Sequence, residues 1–186
     1  MIRKTLFFIA GIISGITTLH AQDRYFTKTG TITFFSKTDL ENIEASNKIV
    51  TAALSTKTGA VQFSVPMKAF EFRKGLMQEH FNENYIESDK YPNSSFKGTI
   101  TNNADIKYDK PGTYEANVEG QLTIHGVTRP VSTKGKVVVG EKTIEANTSF
   151  NVLVADYKIS IPSLVADKIS KSVQINVTTK LEPFTP

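Results

Sequence analysis

The chain has 186 residues, no cysteine, no tryptophan, and 22 Lys and Arg against 18 Asp and Glu, for a formal charge of +4. The absence of cysteine rules out a disulfide framework, thiol chemistry and any cysteine-ligated metal. The lysine excess is too small to argue for nucleic acid, and the length suits one domain with its own packed core.

The first residues read as a leader. "MIRK" is a positive start, "TLFFIAGIISGITTL" an apolar run, and "LHAQ" a small-residue cleavage site after Ala21. The run is short for a membrane span and is interrupted by Ser14, Thr17 and Thr18. No cysteine follows the cleavage point, so a lipoprotein anchor is excluded. Loss of residues 1–21 removes Arg3 and Lys4, which lowers the charge from +4 to +2 (4 − 2). The expected organisation is a cleaved signal peptide, 1–21, then a single domain, 22–186, in the periplasm or outside the cell.

In the first half of the mature chain, Phe26 to Phe34, Val50 to Leu54, Val61 to Val65 and Phe96 to Ile100 read as strands, with Phe70 and Phe72 as a short extension. "KGLMQEHFNENYI" breaks the pattern by placing Leu76, Met77, His80, Phe81 and Tyr85 at helical spacing. "SDKYPNSS" is turn chemistry.

The second half alternates cleanly with period two. Apolar or small residues hold the even positions from Tyr114 to Ile124, the odd ones from Val131 to Val139, the even ones from Ile144 to Val154 and the odd ones from Val173 to Leu181. A two-residue hairpin loop must switch the parity of the apolar face. His125-Gly126 and Gly140-Glu141 both sit at such switches, the second predicting a type II′ turn with Gly140 at its first central position. Arg129-Pro130 is a place where a bulge would shift the register. The strands number about eight, enough to close a barrel that encloses a small ligand or fills itself. Residues 113–124 alone would extend roughly 40 Å, so the predicted barrel is elongated and suits a long apolar ligand.

Chemistry-bearing patterns are scarce. Only His80 and His125 follow the leader, and no close-spaced metal-ligand cluster accompanies them. His125 is expected to hydrogen-bond backbone at a hairpin corner, and His80 to pack under the helix or cap a loop. No GxSxG nucleophile turn and no phosphate-cradling glycine loop occurs, while Glu79, Glu83, Asp156 and Asp167 read as solvated acids. No catalytic residue, metal site or cofactor is expected, and the chain reads as a binding protein, not an enzyme. Phe34, Phe63, Phe70, Phe72, Phe81, Phe96 and Phe150 fall on the apolar phases of their segments. They form either a closed core or, with Leu76, Met77, Leu122 and Val137, the lining of a lumen.

"GQLTIHGVTRPV", residues 120–131, together with the upstream His80, Tyr85, Ile86, Tyr91, Pro92 and Phe96, resembles the YceI-like family of exported bacterial proteins. "DYKISIPSLVADKISKSVQINV" is similar to that family's last third. The resemblance implies an all-β fold with one short helix, namely an extended eight-stranded antiparallel lipocalin-like β-barrel. It also implies a lumen that holds an isoprenoid-quinone-like or fatty amphiphile for transport, storage or stress protection. The expected partner is thus a hydrophobic small molecule, with no nucleic acid and no membrane span, and a homodimer left open. Two stretches depart from the family pattern. "SKTDLENIEASNK" replaces a histidine- and glycine-rich strand pair, and Val154 to Lys158 stand where the family has R-x-D-[FY]-G. Two other readings compete with a lipid carrier: an outer-membrane barrel with its faces exchanged, and a closed-core barrel that serves as a structural or protein-interaction module.

Overall fold

A computed structural model describes residues 23–184; the expected leader lies outside them. The chain runs β1 (Arg24–Lys37), β2 (Asn42–Ser55), β3 (Ala60–Pro66), a two-residue β4 (Glu71–Phe72), helix α1 (Gly75–His80) continued by a π-turn through Tyr85, β5 (Asn93–Ile100), β6 (Gly112–Ile124), β7 (Val127–Val139), β8 (Ile144–Leu153) and β9 (Ser172–Pro183). Among the eight long strands every pairing is antiparallel and between neighbours in the chain, except that β9 returns to β1. These strands therefore form a closed barrel with one short helix, and β4 is a small ledge on β2.

The alternation seen in the sequence is the inside–outside alternation of this wall. Ala116 and Leu122 on β6, Val137 and Val139 on β7, Ile144 and Val152 on β8, and Val173, Val177 and Leu181 on β9 are buried. The intervening Glu, Lys, Asn, Gln and Thr residues face out. That arrangement is the reverse of a lipid-facing barrel, whose outer face is apolar, and it removes the outer-membrane reading. Among the described residues, no helix is long and apolar enough to cross a membrane.

β6 and β7 pair without interruption from Ile124↔Val127 to Gly112↔Val139, so Arg129-Pro130 makes no bulge. The loop at His125-Gly126 has the expected two residues, and both have positive φ, +50° and +71°. That is the primed geometry whose twist matches the flanking strands. The second turn differs from expectation. Val139 pairs with Ile144 and the Gly140 N–H donates to the Thr143 carbonyl at 2.8 Å, so Glu141-Lys142 occupy the centre. Gly140 flanks this turn, and its φ is not among the positive ones. The parity switch allowed either pair of central residues; the register chose the later one.

Barrel curvature comes from irregularities in β1 and β2. The register shifts between Thr27 and Gly30 and again between Gly30 and Ile32, opposite Lys48-Ile49. Each shift inverts the parity of the buried face. On β2 that face moves from Ala45 and Asn47 to Val50, Ala52 and Leu54, and Ile49 is left 56% exposed. Asn47 is fully buried because its side chain replaces missing ladder bonds, donating to the Pro66 carbonyl at 2.8 Å and accepting from the Ile49 N–H at 3.0 Å.

The two ends differ. At the end carrying the β7–β8 turn, Ala52, Leu54, Ile100, Ile106, Ala116, Val137, Val139, Ile144 and Leu181 pack into one cluster. At the opposite end, α1, the β1–β2 loop and the β8–β9 connection form a lid.

Candidate functional site

Beneath the lid lies a cavity of about 380 Å³, within the size range of small-molecule sites. Its wall is almost wholly hydrocarbon, drawn from the barrel strands, the helix and the 159–169 connection. Four rings brace it. Phe34 of β1 stacks on Phe81 at 5.4 Å between centroids, and Phe70 and Phe72 meet Phe81 at 5.6 and 5.1 Å. Rings in such edge and stacked contacts support one another. Phe96 lies over the cross-strand pair Gly98 and Gly120, where an added Cβ would come within 2.6 and 2.5 Å of its Cζ. A larger residue at either glycine would push that ring into the lumen.

The structure places Phe34, Phe63, Phe70, Phe72, Met77, Phe81, Phe96, Leu122, Val137 and Phe150 on this wall. Leu76 stands off it, 62% exposed. The helical seam facing the cavity is Met77, Phe81 and Tyr85, spaced by four, and Leu76 lies about 100° around the helix from Met77. His80 sits at the cavity's margin but is exposed, so it neither packs beneath the helix nor caps a loop. Sequence reasoning missed Ile159, Ile161, Val165 and Ile169, which close the lid from the β8–β9 connection. That segment is mostly irregular, so no periodicity marks them. Burial raises the pKa of Tyr85 in this lid, and at the packed end burial pushes half-buried Tyr108 up to about 12.

His125 holds the lid rather than the cavity. Its Nδ1 faces the Tyr157 carbonyl at 3.1 Å and its Nε2 faces a Glu87 carboxylate oxygen at 2.6 Å. Both ring nitrogens thus lie against oxygen partners. The hydrogen bond from His125 lowers the Glu87 pKa, helped by the charge of Lys90. Tyr91 packs edge-on against the imidazole at 4.7 Å, and a Cβ on Gly126 would come within 2.5 Å of the Tyr91 ring. The β6–β7 hairpin is thereby tied to the loop after the helix and to the β8–β9 connection. Arg129 Nε adds a bond to the Asp156 carbonyl at 3.0 Å. Glu87 and Lys158, at φ +50° and +57°, share with His125 the left-handed backbone that side chains usually avoid. Among the described residues, no group of three or more His, Asp or Glu is placed to hold a metal ion.

A closed antiparallel barrel with polar outer faces, a lidded apolar hollow and a packed opposite end defines a lipocalin-like architecture. The YceI-like domain model matches residues 15–181, and the chain belongs to that family. No curated protein matches the sequence. Among solved structures it is similar to a polyisoprenoid binding domain from Saccharophagus degradans implicated in plant cell wall breakdown, with a TM-score of 0.76 and 15% identity over 88% of this chain and 100% of that one. Burkholderia cenocepacia BcnA gives 0.69 and 16% over 82% and 95%. A Campylobacter jejuni YceI protein gives 0.55 and 14% over the whole of both chains.

Proposed function

We propose that this protein is a binding protein, not an enzyme, that holds a long apolar amphiphile of the isoprenoid or fatty class in its barrel. It would do so after export, in the periplasm or outside the cell, for carriage or storage. The observation that carries this reading is the hollow itself: a wall of hydrocarbon braced by Phe34, Phe72 and Phe81 that runs down the barrel to Ile100, Ala116 and Val137 of the cluster at the other end. Burial of a chain there would gain roughly 25 cal/mol per Å² of apolar surface. The likeness to the polyisoprenoid binding domain of Saccharophagus degradans supports the isoprenoid class, and the leader-like residues 1–21 support export.

Organic extraction and mass spectrometry of protein purified from its native host should recover a stoichiometric amphiphile. Ile175→Trp, which inserts a large ring from the cavity wall, should lower uptake of a fluorescent C18 fatty acid at least tenfold while the fold persists. Protein that is repeatedly empty and takes up no such probe would instead favour the interaction-module reading.

A further inference from the structure

The barrel wall is not paired throughout. β7 and β8 hydrogen-bond from Val139↔Ile144 only as far as Gly135↔Thr148. Beyond that point β7 continues to Val127 along β6 alone, and β8 continues to Leu153 along β9 alone. The two strands therefore fork. The crotch is built from side chains: Thr148 Oγ1 donates to the Lys134 carbonyl at 2.8 Å and meets Thr133 Oγ1 at 3.1 Å, so a side chain takes the place of the next backbone rung. A Cβ on Gly135 would lie 2.7 Å from the Asn147 carbonyl oxygen, so only glycine permits this closure. At the lid the fork is bridged again by Arg129 and Asp156. Pro130, which offers no N–H to a neighbour, lies in the unpaired stretch.

The result is a gap in the backbone ladder closed by side chains alone, with Val131, Phe150 and Val152 in one hydrophobic cluster, and so a window that their movement opens. Val131 and Thr133 line one jamb and Phe150 and Val152 the other, and all four belong to the cavity wall. Beside it, on the outer face over the crotch, is a shallow groove with Lys134, Lys136, Asn147, Ser149 and Asn176, and Glu115 at its edge. Groove and cavity share Gly135, Lys136, Asn147 and Thr148, so they lie on opposite sides of the same stretch of wall at the crotch of the fork. Two lysines face one glutamate there, and neither lysine is in an ion pair among the described residues.

We propose that the β7–β8 fork is the ligand's doorway and that the groove outside it holds an anionic head group, carboxylate or phosphate, while the chain lies in the cavity. This rests on the reading of the cavity as a lipid site. Its test uses the absence of native cysteine. Ser132→Cys with Asn151→Cys places exposed thiols on opposite jambs, and a bis-maleimide staple across them bars the window. Lys97→Cys with Gln121→Cys, outward residues paired in register across β5 and β6, provides a control staple on continuous wall.

Stopped-flow uptake of a fluorescent C18 fatty acid should slow at least tenfold with the fork stapled and stay unchanged with the control. Lys134→Gln with Lys136→Gln should weaken the fatty acid or its phosphate analogue about tenfold and leave the C18 alcohol untouched. If the stapled fork takes up the probe at the wild-type rate, the doorway is wrong and the cavity reading stands. If the lysine variants weaken acid and alcohol equally, or neither, the head-group site is wrong. If the unstapled protein binds no probe, the cavity reading itself fails and the doorway with it.

Discussion

The two ends of the barrel obey the same alternation and reach opposite outcomes. At the packed end Ala52 and Ala116 lie among Leu54, Val137, Val139, Ile144 and Leu181, small beside branched, and the cavity ends against Ile100, Ala116 and Val137. At the lid end Phe34, Phe70, Phe72 and Phe81 brace one another at 5.1 to 5.6 Å and the interior stays hollow. Parity decides which residues face in. At the lid end the rings stand among branched Ile32, Val65, Ile86, Val152 and Val173, and the bracing of ring on ring is what sets that end apart.

The strongest test of that contrast compares one deletion at each end. Ile144→Ala, at a side chain 1% exposed, should cost about 3 kcal/mol in urea unfolding through lost burial and a new void. Phe150→Ala removes a larger side chain but should cost less than Ile144→Ala, because one side of that ring already faces empty space; equal or greater loss would mean that the lid end is packed after all. Next in size, Gly126→Ala should cost about 2 kcal/mol, since alanine at positive φ is strained and its Cβ would displace Tyr91. Thermal melts should show this loss, and hydrogen exchange should place it at the lid while β7–β8 amides near Val139 stay protected.

A smaller effect lies on the acid side. Because Glu87 has its pKa lowered by His125 and Lys90, its contribution is fully present above the ordinary glutamate range. It is lost as pH falls through the lowered folded value, from about pH 5 downward. Glu87→Gln should flatten that part of the stability–pH curve by lowering stability at neutral pH and leaving the acid end, where the contribution is already lost, little changed; an unaltered acid limb would show that the His125–Glu87 contact does not latch the lid. Smallest of all, Leu76→Ser should stay within about 0.5 kcal/mol of wild type and leave probe uptake unchanged, as its exposed position requires.

β6 to β9 were legible because their inward faces keep one parity from end to end, and the family motif around His125 could be read from adjacent residues. β2 was not. The shift at Lys48-Ile49 reverses its phase, and buried Asn47 finds its partner, Pro66, 19 residues away. The phenylalanines of the cavity could be named from phase alone, whereas Ile159, Ile161 and Ile169 belong to a connection with no period to read. Lys158 adopts φ +57° where the resembled family carries glycine, so that backbone geometry survives a residue change that hides it from the sequence. The fork left almost no trace: an unmade ladder has no sequence pattern, and Pro130 was its one signal.

Because β1 is zipped on one side to β2 and on the other to β9, with Tyr25 opposite both Leu54 and Pro183, the wall cannot shut until the last strand arrives. A chain growing from its N-terminus can form its early hairpins, yet Ile32 and Phe34 stay open to water until Val177 and Ile175, far along the chain, swing back beside them. Joining ends so distant in sequence is the slow, entropically costly kind of step. The chain is thus most prone to aggregate just before its final strand docks.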